Sequence, residues 1–145
     1  MSPEENKAIV RRIPEEVFNQ GNLDVADEVL TSDFIEHAQL PPGIPSGIPG
    51  FKQFVTALRA AFPDFHYTIE DEIAEGDKVA VHLTAHGTQQ GDFLGIPATG
   101  KQATWTEIHI CRMDNGKLVE HWVNQDQLGM LQQLGVIPIP GQGEA

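Results

Sequence analysis

Residues 117–135 carry side chains that could perform acid/base chemistry. The segment is predicted to begin as a strand and to end as a helix, with Asp126 at the junction. Alternation along the strand places Glu120, Trp122, Asn124 and Asp126 on one face. A face that combines an aromatic ring, an amide and a carboxylate is typical of a pocket wall. Partial removal of water there would make the Asp126 carboxylate a stronger base, usable near neutral pH. The same aspartate directly precedes a helix, so it could instead serve as the helix N-cap.

The preceding predicted strand carries a second candidate, His109. Alternation puts Trp105 and Glu107 on the same strand face as His109. A tight-turn signal at residues 114–116 joins this strand to the one that ends at Asp126. His109 could therefore orient Asp126, or hydrogen-bond a substrate carbonyl as its enolate forms. It could equally be a structural histidine that is satisfied by Glu107 or by a neighbouring strand.

Other histidines and motifs narrow the chemistry. His37 follows a short predicted strand, where a position at a pocket rim and a local structural hydrogen bond are both reasonable. His82 and His86 are too far apart along a strand to bind one metal ion easily, and no zinc-binding spacing occurs. Nucleotide-binding and serine-hydrolase motifs do not occur either. We therefore predict no metal and no cofactor.

The aromatic residues are candidates for lining an apolar pocket. Trp122 is the strongest, because it shares a face with Asp126. Trp105, Phe62 and Phe93 are further candidates, although a phenylalanine on a helix, such as Phe62, more often belongs to the core.

Helices followed by strands must position these residues. Ser2 and Glu5 form a capping box at the start of the first helix, and Pro14 should kink or split that helix. A Pro/Gly-rich loop is predicted at residues 41–50. The pattern indicates an α+β domain with a four-stranded antiparallel sheet. Further helices are predicted after Asn22, at 51–62 and at 127–134, and strands at 33–36, 65–73, 78–88, 102–113 and 117–126.

Length and charge limit the remaining possibilities. The 145 residues suffice for one domain, predicted at 1–137 with a flexible tail at 138–145. A net charge of −12 argues against binding to nucleic acid or to an anionic membrane. No signal peptide or membrane span is expected. The single cysteine, Cys111, permits no intrachain disulfide, which fits a cytoplasmic protein.

Several short motifs follow one another along most of the chain. They are Gly21-Asn22-Leu23-Asp24, Glu36-His37, Ala61-Phe62-Pro63-Asp64, Glu75-Gly76-Asp77-Lys78-Val79, Gly95-Ile96-Pro97-Ala98-Thr99-Gly100-Lys101 and the run from Asp114 through Gly135. In this order and spacing they resemble the SnoaL-like polyketide cyclase (ester cyclase) family. That resemblance implies the cone-shaped fold of nuclear transport factor 2 and ketosteroid isomerase. In this fold a curved antiparallel sheet wraps around about three N-terminal helices and is followed by a short C-terminal helix.

The resemblance also implies a cofactor-independent reaction on a small aromatic or polyketide-like molecule. Asp126 would be the acid/base residue of an intramolecular aldol cyclisation, or of an isomerisation or dehydration that begins with the same proton abstraction. His109 and His37 would polarise a carbonyl. The implied substrate-binding residues are Trp122, Asn124, Trp105, Glu107, Phe62 and Phe93.

Relatives commonly form dimers through the outer sheet face, so a homodimer is expected. Ile108, Ile110 and Val123 are candidate contacts, but the same residues could instead pack against the helices. One departure from the family pattern is Gln89, where many relatives carry histidine. A non-catalytic small-molecule-binding protein of the same fold is the main alternative. An epoxide-opening hydrolase is less favoured, because Arg112 falls on the strand face opposite His109.

Overall fold

Helices dominate the first part of the chain and strands the second, in a computed structural model that describes residues 1–38 and 40–138. The predicted α+β class is confirmed. Of the predicted tail, residues 139–145 lie outside the described residues. In the described ranges, every helix is too short or too polar to cross a membrane. The helical elements are α1 (Pro3–Arg12), a π-helical segment (Ile13–Phe18), α2 (Asp24–Val29), α3 (Gly47–Ala61) and α4 (Gln127–Gln133). The strands are β1 (Leu30–Glu36), β2 (His66–Glu75), β3 (Lys78–Thr88), β4 (Gln102–Asp114) and β5 (Lys117–Gln125).

The five strands in the described part of the chain form one sheet, in the order β1-β5-β4-β3-β2. β2 to β5 form the predicted antiparallel series. β1 is an added fifth strand that pairs parallel to β5. The sequence pattern could not show this pairing, because it joins two segments about ninety residues apart. It brings the end of β1, including Glu36, next to His121 of β5.

A π-helical segment follows α1, where Pro14 was predicted to kink or split the helix. Proline has no backbone N–H, and in a regular α-helix its ring would clash with the carbonyl of Val10. The wider turn resolves this conflict, and the Asn19 N–H donates to the Pro14 carbonyl at 3.0 Å. Ile13, Pro14 and Phe18 line an internal cavity, so this irregular segment shapes its wall.

An extra residue interrupts the register of β5. Leu118 and Glu120 pair with adjacent residues of β4, which leaves Val119 unpaired as a bulge. Leu118 and His121 are three residues apart, yet both line the cavity. Trp122 pairs with the exposed Ile110 on the opposite face of the sheet.

Two loops, one before α3 and one between β3 and β4, contain the Pro/Gly-rich segment and Gln89. α3 begins at Gly47, so the Pro/Gly-rich loop ends earlier than residue 50. The loop before β4 is held by Gln89, which is fully buried. Its amide donates to the Ile96 carbonyl at 3.1 Å and accepts from the Thr99 hydroxyl at 2.9 Å. Gln89 therefore holds this loop together and does not line the cavity.

Candidate functional site

An apolar cavity lies between the N-terminal helical segments and the inner face of the sheet. Its empty space, with the open mouth included, is about 520 Å³. α1, the π-helical segment and α3 contribute apolar side chains to its wall. The polar groups in the wall are Glu36, Tyr67, His109 and His121, and they come from four different strands.

These polar groups form a continuous row of hydrogen bonds with a fifth residue, Glu107. His109 Nε2 lies 2.7 Å from Glu107 Oε1, and His109 Nδ1 lies 2.7 Å from His121 Nε2. His121 Nδ1 lies 2.7 Å from Glu36 Oε2. Tyr67 joins the row through its hydroxyl, which donates to Glu107 at 2.7 Å. The row thus links a buried carboxylate to a carboxylate in the cavity wall through two imidazole rings.

Glu107 anchors the buried end of the row. Its side chain is 4% exposed and accepts hydrogen bonds from Tyr67, Trp105 Nε1 and His109. Burial acts to raise the pKa of Glu107, but these bonds outweigh it and the net pKa is lowered. Burial and the nearby carboxylate raise the pKa of Tyr67 well above its usual value, so the phenol remains a donor. Burial lowers the pKa of His109.

Glu36 is the carboxylate of the cavity wall within the described part of the chain. It is the last residue of β1, and its side chain is 16% exposed. Oε2 accepts the Ala38 N–H at 3.1 Å as well as the contact to His121. An ionised carboxylate has about four acceptor sites, so lone pairs remain for a ligand.

Asp126 lies outside this cavity. It is the N-cap of α4, and its Oδ1 accepts the Gly129 N–H at 2.9 Å. The residue is exposed. The predicted placement of Asp126 beside His109 therefore differs from the structure, where the neighbours of His109 are Glu107 and His121. The role of Asp126 as the acid/base residue stays a prediction.

Trp122 and His37 lie on the outer side of the sheet and not at the cavity. Their rings stack with centroids 4.9 Å apart, and Lys78 Nζ lies 5.9 Å from the Trp122 ring centre. His37 also contacts Glu120 at 2.7 Å. Asn124 is exposed on the same outer face. The bulge at Val119 explains the difference from prediction, because it turns Trp122 outward and His121 inward.

The remaining predicted binding residues are buried behind the cavity wall. Trp105 packs on Phe62 and donates to Glu107 at 2.7 Å. Phe62 also contacts Phe93, which belongs to the loop held by Gln89. These aromatic residues are core residues that support the row, and they do not line the cavity.

Sequence reasoning missed Glu36, Tyr67 and His121. His121 has no special context in the sequence, and a surface position is the ordinary expectation for such a histidine. Glu36 stands in the Glu36-His37 motif, in which the histidine is the residue predicted to act in the site. Among the residues that the structure describes, no group of three or more His, Cys, Asp or Glu side chains is arranged to hold a metal ion.

Similarity to known proteins assigns the family. Residues 8–134 match the model of the SnoaL-like polyketide cyclase family. Nogalonic acid methyl ester cyclase of Streptomyces nogalater is 34% identical over 119 residues, which are 81% of this chain and 89% of the relative. Aklanonic acid methyl ester cyclase DnrD of Streptomyces peucetius is 32% identical over 130 residues, 88% of each chain.

A solved structure supports the same assignment. TsrD from Streptomyces laurentii matches with a TM-score of 0.86 and 26% sequence identity, over 94% of this chain and 99% of that one. The predictions of the cone-shaped fold and of a polyketide cyclase-like enzyme are thereby confirmed. The chain belongs to the SnoaL-like polyketide cyclase family.

Proposed function

We propose that this protein catalyses the intramolecular aldol ring closure of a polyketide-like small molecule bound in the apolar cavity, without a cofactor. The names of the relatives support this reaction class, because they are cyclases of aklanonic and nogalonic acid methyl esters. The observation that carries the assignment is a carboxylate, Glu36, in the wall of an otherwise largely apolar cavity.

In this proposal Glu36 is the acid/base residue. Its carboxylate takes a proton from a carbon that lies between two carbonyl groups, and the electron pair of the broken C–H bond is delocalised as an enolate. The enolate carbon attacks a second carbonyl of the same molecule and forms the new C–C bond. Glu36 then returns the proton to the resulting alkoxide, so the enzyme ends in its starting protonation state.

Several contacts make Glu36 suitable for this role. His121 and the Ala38 N–H fix the carboxylate group, which limits the freedom that would be lost on reaching the transition state. The apolar wall excludes water around the reacting atoms and strengthens electrostatic interactions there. Asp126 lacks this setting, because it is exposed and engaged as a helix cap.

Three matched variants test the assignment. Glu36→Gln keeps the size of the side chain but cannot accept a proton, and we expect it to lower the rate of ring closure about 10²–10⁴-fold. Glu120→Gln makes the same change on the outer face and serves as the control. Asp126→Asn tests the rival carboxylate. The measurement is single-turnover cyclisation of aklanonic or nogalonic acid methyl ester, followed by chromatography.

Each outcome has a distinct reading. Loss of activity in Glu36→Gln alone supports the proposal, and loss in Asp126→Asn alone would assign the acid/base role to Asp126. Tight binding of these esters without turnover in the wild type would favour the non-catalytic binding protein. The esters of the relatives are the first choice because they fix the reaction class to be detected.

We also propose that the protein is a homodimer that uses the outer sheet face. Ile108 and Ile110 are 54% and 40% exposed there. Val123, the third predicted contact, pairs with His109 on the inner face and is withdrawn from this set. A monomeric mass in light scattering at micromolar concentration would contradict the dimer, and Ile108→Lys should dissociate it.

A further inference from the structure

Three consecutive hydrogen bonds connect Glu107, His109, His121 and Glu36. These four side chains, without Tyr67, form the carboxylate–imidazole row. All three contacts are 2.7 Å long. Every ring nitrogen of both histidines is engaged within the row. Each contact therefore needs one proton between its two atoms, because two lone pairs facing each other at this distance would repel.

The protons of the row can be counted. A neutral imidazole carries one N–H and an ionised carboxylate carries none. Two neutral histidines supply two protons, whereas three hydrogen bonds require three. We infer that the row holds a third proton, so that its net charge is −1 instead of −2, and that His121 carries it as an imidazolium.

The buried end of the row fixes the direction of its hydrogen bonds. Glu107 already accepts from Tyr67 and Trp105, which keeps it an acceptor toward His109 Nε2. The first two bonds already satisfy Glu107, whereas His121 Nδ1 lies 2.9 and 2.7 Å from the two oxygens of Glu36, so the third proton is better placed on the ring beside Glu36. Burial, which lowers the pKa of His109, acts in the same direction. A neutral His109 with its proton on Nε2 must accept at Nδ1. His121 therefore donates from Nε2.

The cavity end of the row places a second proton on the same ring. Glu36 Oε2 accepts the Ala38 N–H at 3.1 Å, a contact that favours the ionised carboxylate. An ionised Glu36 requires His121 Nδ1 to donate. His121 consequently donates from both nitrogens.

The other groups around the row do not change this count. Cys111 of β4 remains a thiol, since burial raises its pKa to about 12. Tyr67 of β2 remains a phenol. Of the residues that line the cavity, those from α1, the π-helical segment and α3 are all uncharged.

The catalytic role of the third proton rests on the proposed function, in which Glu36 is the base. Proton abstraction by Glu36 leaves a negative enolate near a positive His121. The imidazolium offsets the negative charge of the site, first on the Glu36 carboxylate and then on the enolate, so that this charge does not stand alone beside the apolar wall. Glu107 acts through His109, and we assign it as a positioning residue that sets the tautomer of His109 and thereby the charge of His121.

The test is two-bond ¹H–¹⁵N correlation NMR of the full-length protein with ¹⁵N-labelled histidine, without substrate. Assignment uses the variants His121→Phe and His109→Gln. At pH 7.5 an ordinary histidine, with a pKa of about 6.5, is mostly neutral. We expect one ring with two protonated nitrogens, His121, and one neutral ring protonated on Nε2, His109. Two neutral rings, or a His109 protonated on Nδ1 alone, would overturn the inference.

A second variant tests the role of Glu107 through the protonation pattern of His121, which a loss of packing alone would not change. Glu107→Leu leaves His109 Nε2 without an acceptor, so His109 can carry its proton on Nδ1 and donate it to His121. We expect two neutral rings in this variant, whereas Glu120→Leu on the outer face should leave His121 doubly protonated. An unchanged His121 pattern in folded Glu107→Leu would show that Glu107 does not set the charge. If that variant fails to fold, the wild-type spectrum still decides whether the third proton exists.

These spectra are independent of turnover, so the two proposals can fail separately. A doubly protonated His121 together with a fully active Glu36→Gln enzyme would support the row and reject Glu36 as the base. Two neutral rings together with an inactive Glu36→Gln enzyme would retain the base and reject the third proton.

Discussion

The two faces of the β4–β5 pair carry similar residue types in opposite settings. On the inner face, Glu107, His109 and His121 form hydrogen bonds 2.7 Å long beside an apolar cavity. On the outer face, Glu120 makes comparable contacts to His37 and Arg112, at 2.7 and 2.9 Å. Both faces therefore combine carboxylates with basic side chains at hydrogen-bond distance.

The two clusters differ in how far their charged groups are exposed to water. The Glu107 side chain is 4% exposed, whereas the Glu120 and His37 side chains of the outer cluster are 18% and 41% exposed. Exposed charges interact weakly because water screens them, so the outer cluster contributes little to stability and has no enclosed space for a substrate. The same chemistry on the inner face is protected from water and adjoins a cavity. Hydrogen-bond geometry alone would not have distinguished the two clusters, but burial does.

Within the β4–β5 pair, the largest expected effect comes from removing the imidazole at the cavity, His121. His121→Phe keeps a ring of similar size but deletes both nitrogens, leaving Glu36 and His109 without their shared partner. We expect cyclisation to slow about 10²–10³-fold, the usual cost of losing an electrostatic stabiliser. Trp122→Phe, the adjacent residue on the outer face, should remain within about twofold of wild type, since surface changes are usually mild.

Single-turnover rates with the same ester, compared at equal folded concentration, measure both variants. Comparable losses in the two variants would remove the distinction between the faces. A loss of activity in Trp122→Phe alone would place the substrate on the Trp122 face of the sheet, which the sequence pattern predicted to be the pocket wall.

The face assignment shows where sequence reasoning ended. Alternation correctly grouped Glu120 with Trp122, and the tight turn correctly paired β4 with β5. A single unpaired residue, Val119, then decided which group faced inward, and a bulge of this kind has no clear sequence signal. Glu36 was hidden for a different reason, because its importance depends on the parallel pairing of β1 with β5.

The next effect concerns stability and again contrasts the two faces. Glu107→Gln replaces an acceptor of three hydrogen bonds by an amide whose NH₂ cannot accept, so at least one of the donors Tyr67, Trp105 and His109 loses its partner. We expect the free energy of unfolding to fall by about 2–4 kcal/mol. Glu120→Gln on the outer face should leave the urea midpoint unchanged. Equal midpoints for the two variants would contradict the view that burial separates the clusters.

A smaller, graded effect is expected as the pH falls. Because burial lowers the pKa of His109, the unfolded chain takes up a proton below about pH 6.5 that the folded chain resists. The stability of the wild type should therefore decrease with falling pH in that range, by at most about 1.4 kcal/mol per pH unit for this proton.

Glu107 extends the same trend to lower pH. Its folded pKa is lowered, so its contribution is present above the unfolded value of about 4.3 and is lost as the pH falls through the folded value. The stability difference between the wild type and Glu107→Gln should hold above about pH 5 and shrink below about pH 4. Urea unfolding at a series of pH values measures both effects. A difference that grows at low pH would contradict the sign of the Glu107 shift.

The smallest expected effect is at Asp126, and it decides what this carboxylate does. As the N-cap of α4, Asp126 accepts the Gly129 N–H at 2.9 Å, a role that asparagine can also perform. Asp126→Asn should change stability by only a few tenths of a kcal/mol, whereas Asp126→Ala should cost about 1 kcal/mol. If Asp126 is only a helix cap, the two variants therefore differ in their urea midpoints, and both keep an activity near that of the wild type. If Asp126 is instead the acid/base residue, both variants lose cyclisation whatever their stability, because neither asparagine nor alanine can carry the proton.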